Sequence, residues 1–80
     1  METRIAILGI IVNNLDISEE INKILHDYNQ YIVGRMGIPY KEKGVSVMSV
    51  VFDAPNEIIG AASGKLGMLP GVTVKAVYSK

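Results

Sequence analysis

The 80-residue chain has no cysteine, no tryptophan and only one histidine. Without cysteine it can form no disulfide framework, no thiolate nucleophile and no cysteine-based zinc or iron–sulfur site. We therefore expect no cofactor of these kinds. The lack of cysteine also fits a reducing cytoplasm, which is the expected location.

The chain has no excess of either charge, since eight acidic and eight basic side chains balance. This balance disfavours nucleic-acid binding, because no surplus of positive charge is available to release counterions from a phosphate backbone. The apolar run Ile5–Val12 is far shorter than the roughly 20 residues that span a bilayer, and no small-residue cleavage pattern follows it. We expect a soluble protein with no membrane or direct nucleic-acid partner.

Its length predicts one small domain over residues 1–80. A chain of this size buries only about 60 to 65% of the surface that its unfolded form exposes. Hydrophobic residues nevertheless make up 49% of the sequence. Apolar surface should therefore remain outside the core, and self-association is the obvious use for it.

Hydrophobic periodicity predicts four strands, at about residues 4–12, 31–40, 45–52 and 72–78. One helix should follow Asp16 and a second should follow Asp53 and end near Gly67. Asp16 is expected to cap the first helix, with Glu19 completing a capping box. Asp53 is expected to cap the second helix.

The order β-α-β-β-α-β predicts an α+β fold, the ferredoxin-like sandwich. This fold has an antiparallel four-stranded sheet with both helices on one face, and its first and third strands are central. The third strand is apolar at both parities, yet the helices can cover only one face. We expect a second subunit to cover the other face, making a dimer or tetramer.

The sequence contains little that would support catalysis. The segment GAASGKLG, residues 60–67, is one residue short of a phosphate-binding loop and lies inside a predicted helix. His26 also lies on a predicted helix. We expect it to be a solvated residue that interacts favourably with the helix dipole. No carboxylate pair is forced together by its spacing. We expect no enzyme activity and no metal site.

The segment NNLD offers a better binding candidate. It joins the first strand to the first helix, where Asn13, Asn14 and Asp16 could hold a small polar ligand beside the free N–H groups of the helix start. The alternative, a simple capped turn, is the favoured explanation.

The stretch VGRMGIPYKEKGVSV, residues 33–47, leaves Arg35 without a structural explanation. Gly34 and Gly37 allow a bulge, and Gly44 can take a positive φ in a polar turn. Ile32, Met36 and Ile38 share one parity and are expected to face the helices, which would send Arg35 to the opposite face. There it could be solvated, pair with a carboxylate across a subunit interface, or hold an anion.

Two blocks, GRMGIPYKEKGVSV and GKLGMLPGVTVK, resemble the family of small proteins known as iron-only hydrogenase system regulators. The resemblance spans almost the whole chain. It implies an ACT-like fold, related to the C-terminal domain of nickel-responsive regulators, and dimerisation through the sheet. It also implies that a small effector binds near the loop after the first strand, residues 13–16. The nickel-responsive relatives hold metal with histidines and a cysteine, whereas this chain has one histidine and no cysteine, so metal sensing is not expected.

Together these features predict a non-enzymatic, homo-oligomeric regulatory domain that binds a small effector or a partner protein. The expected ligand-binding residues are Asn13, Asn14, Asp16 and Arg35, between subunits. The alternative is an interaction or assembly module for hydrogenase maturation, which would bind a hydrogenase-related protein and no small molecule.

Overall fold

The computed structural model of the chain describes residues 2–79. We number the strands and helices β1 (Arg4–Val12), α1 (Ser18–Asp27), β2 (Ile32–Tyr40), β3 (Val45–Ala54), α2 (Asn56–Gly67) and β4 (Val72–Tyr78). Short 3-10 turns lie at Leu15–Ile17, Asn29–Tyr31 and Lys41–Lys43. The predicted order of strands and helices is confirmed.

The four strands form one antiparallel sheet in the order β2-β3-β1-β4. β1 and β3 are central, and β2 and β4 are the edges. The ferredoxin-like architecture expected from the sequence is therefore the observed fold.

The core lies between one face of the sheet and the two helices. Burial alternates along β1, because successive side chains of a strand point to opposite faces. The buried side chains of the strands pack against those of the helices. Full burial of one large aliphatic or aromatic side chain stabilises the folded state by roughly 1.5 to 3 kcal/mol. The core consists of Ala6, Leu8, Ile10, Val12, Ile21, Leu25, Tyr28, Val50, Phe52, Ala54, Ile59, Ala62 and Leu66.

The start of α1 differs from the prediction. The helix begins at Ser18, and Asp16 lies in the 3-10 turn before it. Asn14 caps this turn, since its Oδ1 accepts a hydrogen bond from the backbone N–H of Asp16 at 3.1 Å. The prediction that Asp16 caps α1 was wrong because the turn inserts between the aspartate and the helix.

The start of α2 also lies further along the chain than expected. Asp53 belongs to β3, and Pro55 is the N-cap without a side-chain hydrogen bond. Asp53 therefore does not cap α2, because β3 continues to Ala54. The predicted end of the helix at Gly67 is confirmed.

Two glycines adopt the left-handed region that glycine tolerates best. Gly44 has φ 67° after the turn Lys41–Lys43, as its position in the sequence predicted. Gly71, before β4, has φ 77°. A Cβ added to Gly71 would lie 2.9 Å from the Cβ of Asn14, so the loop before β4 packs closely against the loop after β1.

The GAASGKLG segment lies within α2, as expected, and not in a phosphate-binding loop. Close packing of the helix explains why a small residue occurs at Ala62, which is fully buried. It does not explain Gly60, Gly64 or Gly67, because a Cβ at each would meet nothing within 4 Å. Among residues 2–79, no helix has both the length and the apolar character of a transmembrane segment.

Candidate functional site

A β-bulge near the start of β2 determines the direction of Arg35. Ile32 pairs with Phe52 and Gly34 pairs with Val51, so Val33 is an extra residue between them. After the bulge, Arg35 lies opposite Val50, which faces the helices. The prediction that Arg35 faces away from the helices was therefore wrong, because one extra residue reverses the alternation of a strand.

The guanidinium of Arg35 contacts the first helix. Its Nη2 donates a hydrogen bond to Oδ1 of Asn22 at 2.9 Å. The sequence predicted a solvated arginine, an ion pair across an interface or a bound anion, and this contact is none of the three. It uses one of the five N–H donors of the guanidinium, and an amide partner does not neutralise the positive charge.

A cleft of about 260 Å³ lies beside this hydrogen bond, between α1 and β2. We call it the α1–β2 cleft. Gly37 carries no side chain on the β2 side of the cleft. A Cβ there would lie 3.6 Å from Cγ of Met48 and 4.0 Å from the carbonyl oxygen of Val47. The cleft is lined by Val12, Ser18, Ile21, Asn22, Arg35, Gly37, Pro39, Ser46 and Met48.

The lining combines an apolar floor with polar side chains at the rim. Val12 and Ile21 are almost fully buried core residues, and Met48 packs against the same core. Ser18, Asn22 and Arg35 are exposed. No acidic residue is among the nine that line the cleft. The cleft is therefore suited to a small molecule that has both an apolar part and a group attracted to a cation.

The loop after β1 lies outside this lining. The backbone N–H of Asn13 donates to the carbonyl oxygen of Gly71 at 2.7 Å, and the side chain of Asn14 caps the turn that contains Asp16. Of the four predicted ligand-binding residues, only Arg35 lines the cleft. The structure does not bring Asn13, Asn14 or Asp16 together with it in this cavity, and Asn14 has the capping role of the simpler explanation.

Three polar residues of the cleft were not among the predicted ligand-binding residues: Ser18, Asn22 and Ser46. By helical spacing Asn22 falls on the polar side of α1, next to Ile21 of the apolar side. It lies at the boundary of the two sides and faces the edge strand. Only the bulge in β2 brings Arg35 opposite to it, so helical periodicity alone could not have identified the pair.

The sheet face opposite the helices is the second notable surface, and we call it the outer face. Residues paired directly across neighbouring strands share a face, and the register places Ile7 beside Val51 and Val77. Met36 and Ile38 also lie here, opposite Ser49 and Val47, and not against the helices as predicted. Eight large apolar side chains of this face are 42–66% exposed: Ile5, Ile7, Ile11, Met36, Ile38, Tyr40, Val47 and Val77.

Charged groups on the outer face are few. Asp53 pairs with Ile5 at one end, and Lys75 pairs with Gly9 near the middle of β1. Alternate side chains of β3 are all largely apolar in the sequence. One set packs in the core, and the other set lies on the exposed outer face. A second subunit that covers this face stays a prediction.

The histidine and the carboxylates form no evident centre. His26 is exposed in the last turn of α1. Among residues 2–79, no three His, Cys, Asp or Glu side chains converge as a set of metal ligands.

The family of the chain follows from a comparison with family models. The model of the TM1266-like family, described as "Iron-only hydrogenase system regulator, putative", matches residues 4–76. The chain belongs to the TM1266-like family. This result confirms the resemblance found in the sequence.

Solved structures agree with this membership in the TM1266-like family. The uncharacterized protein TM1266 from Thermotoga maritima is 38% identical, with a TM-score of 0.94, and the match covers 99% of this chain and 100% of that one. A formyltetrahydrofolate deformylase from Pseudomonas putida KT2440 has a TM-score of 0.65 at 11% identity. That match covers 91% of this chain and 28% of the deformylase, and it shows a shared fold alone. The curated proteins include no match.

Proposed function

We propose that this chain is a non-enzymatic regulatory domain of an iron-only hydrogenase system, which acts as a homo-oligomer and binds a small effector in the α1–β2 cleft. The observation that carries this proposal is the cleft itself. It places the guanidinium of Arg35 beside an apolar floor, and Asn22 fixes the side chain from the neighbouring helix. An apolar pocket with a few convergent polar groups is the usual form of a small-molecule site.

A binding role fits the cleft better than a catalytic one. Its polar side chains are an arginine, an asparagine and two serines. A serine nucleophile needs an adjacent base, and neither a histidine nor a carboxylate lines the cleft. The family name, which describes a regulator, supports the same assignment.

The outer face supports self-association. Strands of seven to ten residues at about 3.3 Å per residue, spaced about 4.8 Å apart, give a face of roughly 500 Å². Two such faces together bury at least about 1,000 Å², which is the lower range for a specific interface. Large apolar patches on a monomer are commonly interaction sites.

The alternative function, an assembly module for hydrogenase maturation, would use the same outer face for a different protein. Under that function the chain would co-purify with a maturation protein and would respond to no small molecule. Under the proposed function it would be a dimer or tetramer when purified alone.

A thermal-shift screen separates the two functions. Amino acids, nucleotides, metal ions and short organic acids would be tested against the wild-type chain and an Arg35→Gln variant. We expect at least one compound to raise the Tm of the wild type, because a ligand that binds only the folded state stabilises it, and to raise that of the variant less. A flat response to every compound would favour the assembly module.

A further inference from the structure

We infer that the α1–β2 cleft binds a small monocarboxylic acid with a short apolar body and no amino group. This inference rests on the proposed function, since it names the class of effector for the same site. Four observations carry it: the charge of Arg35, whose hydrogen bond ends on a neutral amide, the apolar floor, the absence of an acidic residue from the nine lining residues, and the volume of the cleft.

The charge of Arg35 is available to a ligand. The hydrogen bond at 2.9 Å comes from one N–H group and ends on a neutral amide oxygen. A carboxylate in the cleft could accept hydrogen bonds from the other N–H groups, and the planar guanidinium suits the two oxygens of a carboxylate. Asn22 thus orients the arginine without competing for its charge.

The floor of the cleft selects the rest of the ligand. Val12, Ile21 and Met48 form the apolar part of the lining. Met48 offers most of its exposed surface, because Val12 and Ile21 are almost fully buried. An apolar group placed against them gains from leaving water, whereas a second charged group would lose hydration there. A purely inorganic anion would gain nothing from this apolar lining.

The lining argues against an amino acid. An α-ammonium group would lie within a few ångströms of the carboxylate and therefore near the guanidinium of Arg35. No aspartate or glutamate is among the nine lining residues to accept it. Repulsion between like charges and the loss of hydration would both oppose binding.

The volume limits the size and the charge of the ligand. About 260 Å³ corresponds to roughly nine water molecules at 30 Å³ each, and it lies below the roughly 300 Å³ at which drug-sized sites begin. An acid of about five to ten non-hydrogen atoms therefore fits. Arg35 is the one cationic side chain of the lining, which favours a monoanion over a phosphate dianion.

Three matched probes test this inference: isovalerate, its uncharged amide isovaleramide, and valine, which is isovalerate with an added α-ammonium group. Titration of the ¹⁵N-labelled wild-type chain would be followed in ¹H–¹⁵N spectra, together with inorganic phosphate as a fourth probe. We expect saturable shifts of Ser18, Asn22, Gly37 and Ser46 with isovalerate. Isovaleramide should bind about tenfold more weakly and valine at least about fivefold more weakly.

Variants identify the residues responsible. Arg35→Gln should raise the Kd for isovalerate at least about tenfold, because it removes a charged hydrogen-bond donor. Lys43→Gln removes the same charge in the turn before β3, outside the cleft lining, and should leave the Kd unchanged. Gly37→Ala should also weaken binding, because its methyl group would occupy the cleft beside Met48 without a clash.

Three results would overturn the inference: no saturable shift with isovalerate, equal affinity of wild type and Arg35→Gln, or valine or phosphate binding more tightly than isovalerate. The proposed function is judged separately. If a compound of another class raises the Tm and Gly37→Ala weakens its effect, the carboxylate assignment is wrong and the effector role survives. If no compound raises the Tm, both are wrong.

Discussion

The guanidinium of Arg35 and the side-chain amide of Asn22 are joined by a hydrogen bond of 2.9 Å that connects the edge strand β2 to helix α1. The bond spans the α1–β2 cleft at its rim. As long as Val33 is part of the strand, the bond requires the bulge at this residue, which allows both Ile32 and Arg35 to face the helices. A regular strand that kept Val33 would instead place Arg35 on the outer face.

Deletion of Val33 should preserve this arrangement. Without the bulge, Ile32 would still pair with Phe52, and Gly34 would follow directly to pair with Val51, so Arg35 would still face α1. We expect a folded chain whose free energy of unfolding changes by about 1 kcal/mol or less. Urea denaturation and the ¹H–¹⁵N signals of the Asn22 side chain would measure the two effects. Loss of the environment of Asn22 in a folded variant would show that the bulge itself positions the arginine.

Replacement of Gly64 by alanine should stabilise the protein. Gly64 lies inside α2, and a Cβ there would meet nothing within 4 Å. Alanine is favoured over glycine in a helix by about 0.8 to 1 kcal/mol. Thermal or urea unfolding should show a gain of about that size.

Gly71 provides the matched control for this substitution. Gly71→Ala should destabilise the protein by at least about 1 kcal/mol, because φ is 77° and the new Cβ would lie 2.9 Å from the Cβ of Asn14. Equal stability of the two alanine variants would contradict the claim that Gly64 has room for a Cβ whereas Gly71 is strained and crowded.

Asn14→Ala should weaken the 3-10 turn that precedes the first helix. The substitution removes the Oδ1 atom that accepts the hydrogen bond from the Asp16 N–H at 3.1 Å. Loss of such a cap costs roughly 0.5 to 2 kcal/mol, and Asn14→Asp should retain most of that free energy. Urea denaturation of the two variants is the measurement. An aspartate variant as unstable as the alanine variant would contradict the capping role.

Ile7→Lys tests the outer face. Ile7 lies on central strand β1, beside Val51 and Val77, and is 42% exposed in the single chain. A charge there should lower the assembled mass measured by light scattering to that of a monomer, while the circular dichroism spectrum stays that of a folded chain. Met68→Lys is the control, because Met68 is 84% exposed at the end of α2. A wild-type chain that is monomeric at micromolar concentration would contradict self-association.

Much of the fold could be predicted from the sequence, because long apolar alternations and glycine-bounded turns are local signals. β1 and β4 have the predicted boundaries, and Gly44 has the predicted positive φ. The helix starts were predicted less well. Asp16 and Asp53 are both good capping residues by type, but a 3-10 turn and a longer strand occupy the places where they would cap.

The candidate site could not be derived from the sequence for a physical reason. Gly34 and Gly37 both permit a bulge, and the position of the bulge reverses the side of every residue that follows. The sequence leaves Arg35 without a structural explanation. The face of the sheet on which it lies is determined by the register between β2 and β3. Asn22 has no distinguishing local pattern and gains its role only from the tertiary contact.

A crystal structure with the ligand bound tests the central claim most directly. The compound with the largest Tm effect in the screen would be soaked into crystals of the wild-type chain. We expect its density in the α1–β2 cleft, with an acidic group beside the guanidinium of Arg35 and its apolar part against Ile21 and Met48. Density instead at Asn13–Asp16 or on the outer face, with the cleft empty, would contradict the assignment of the effector site.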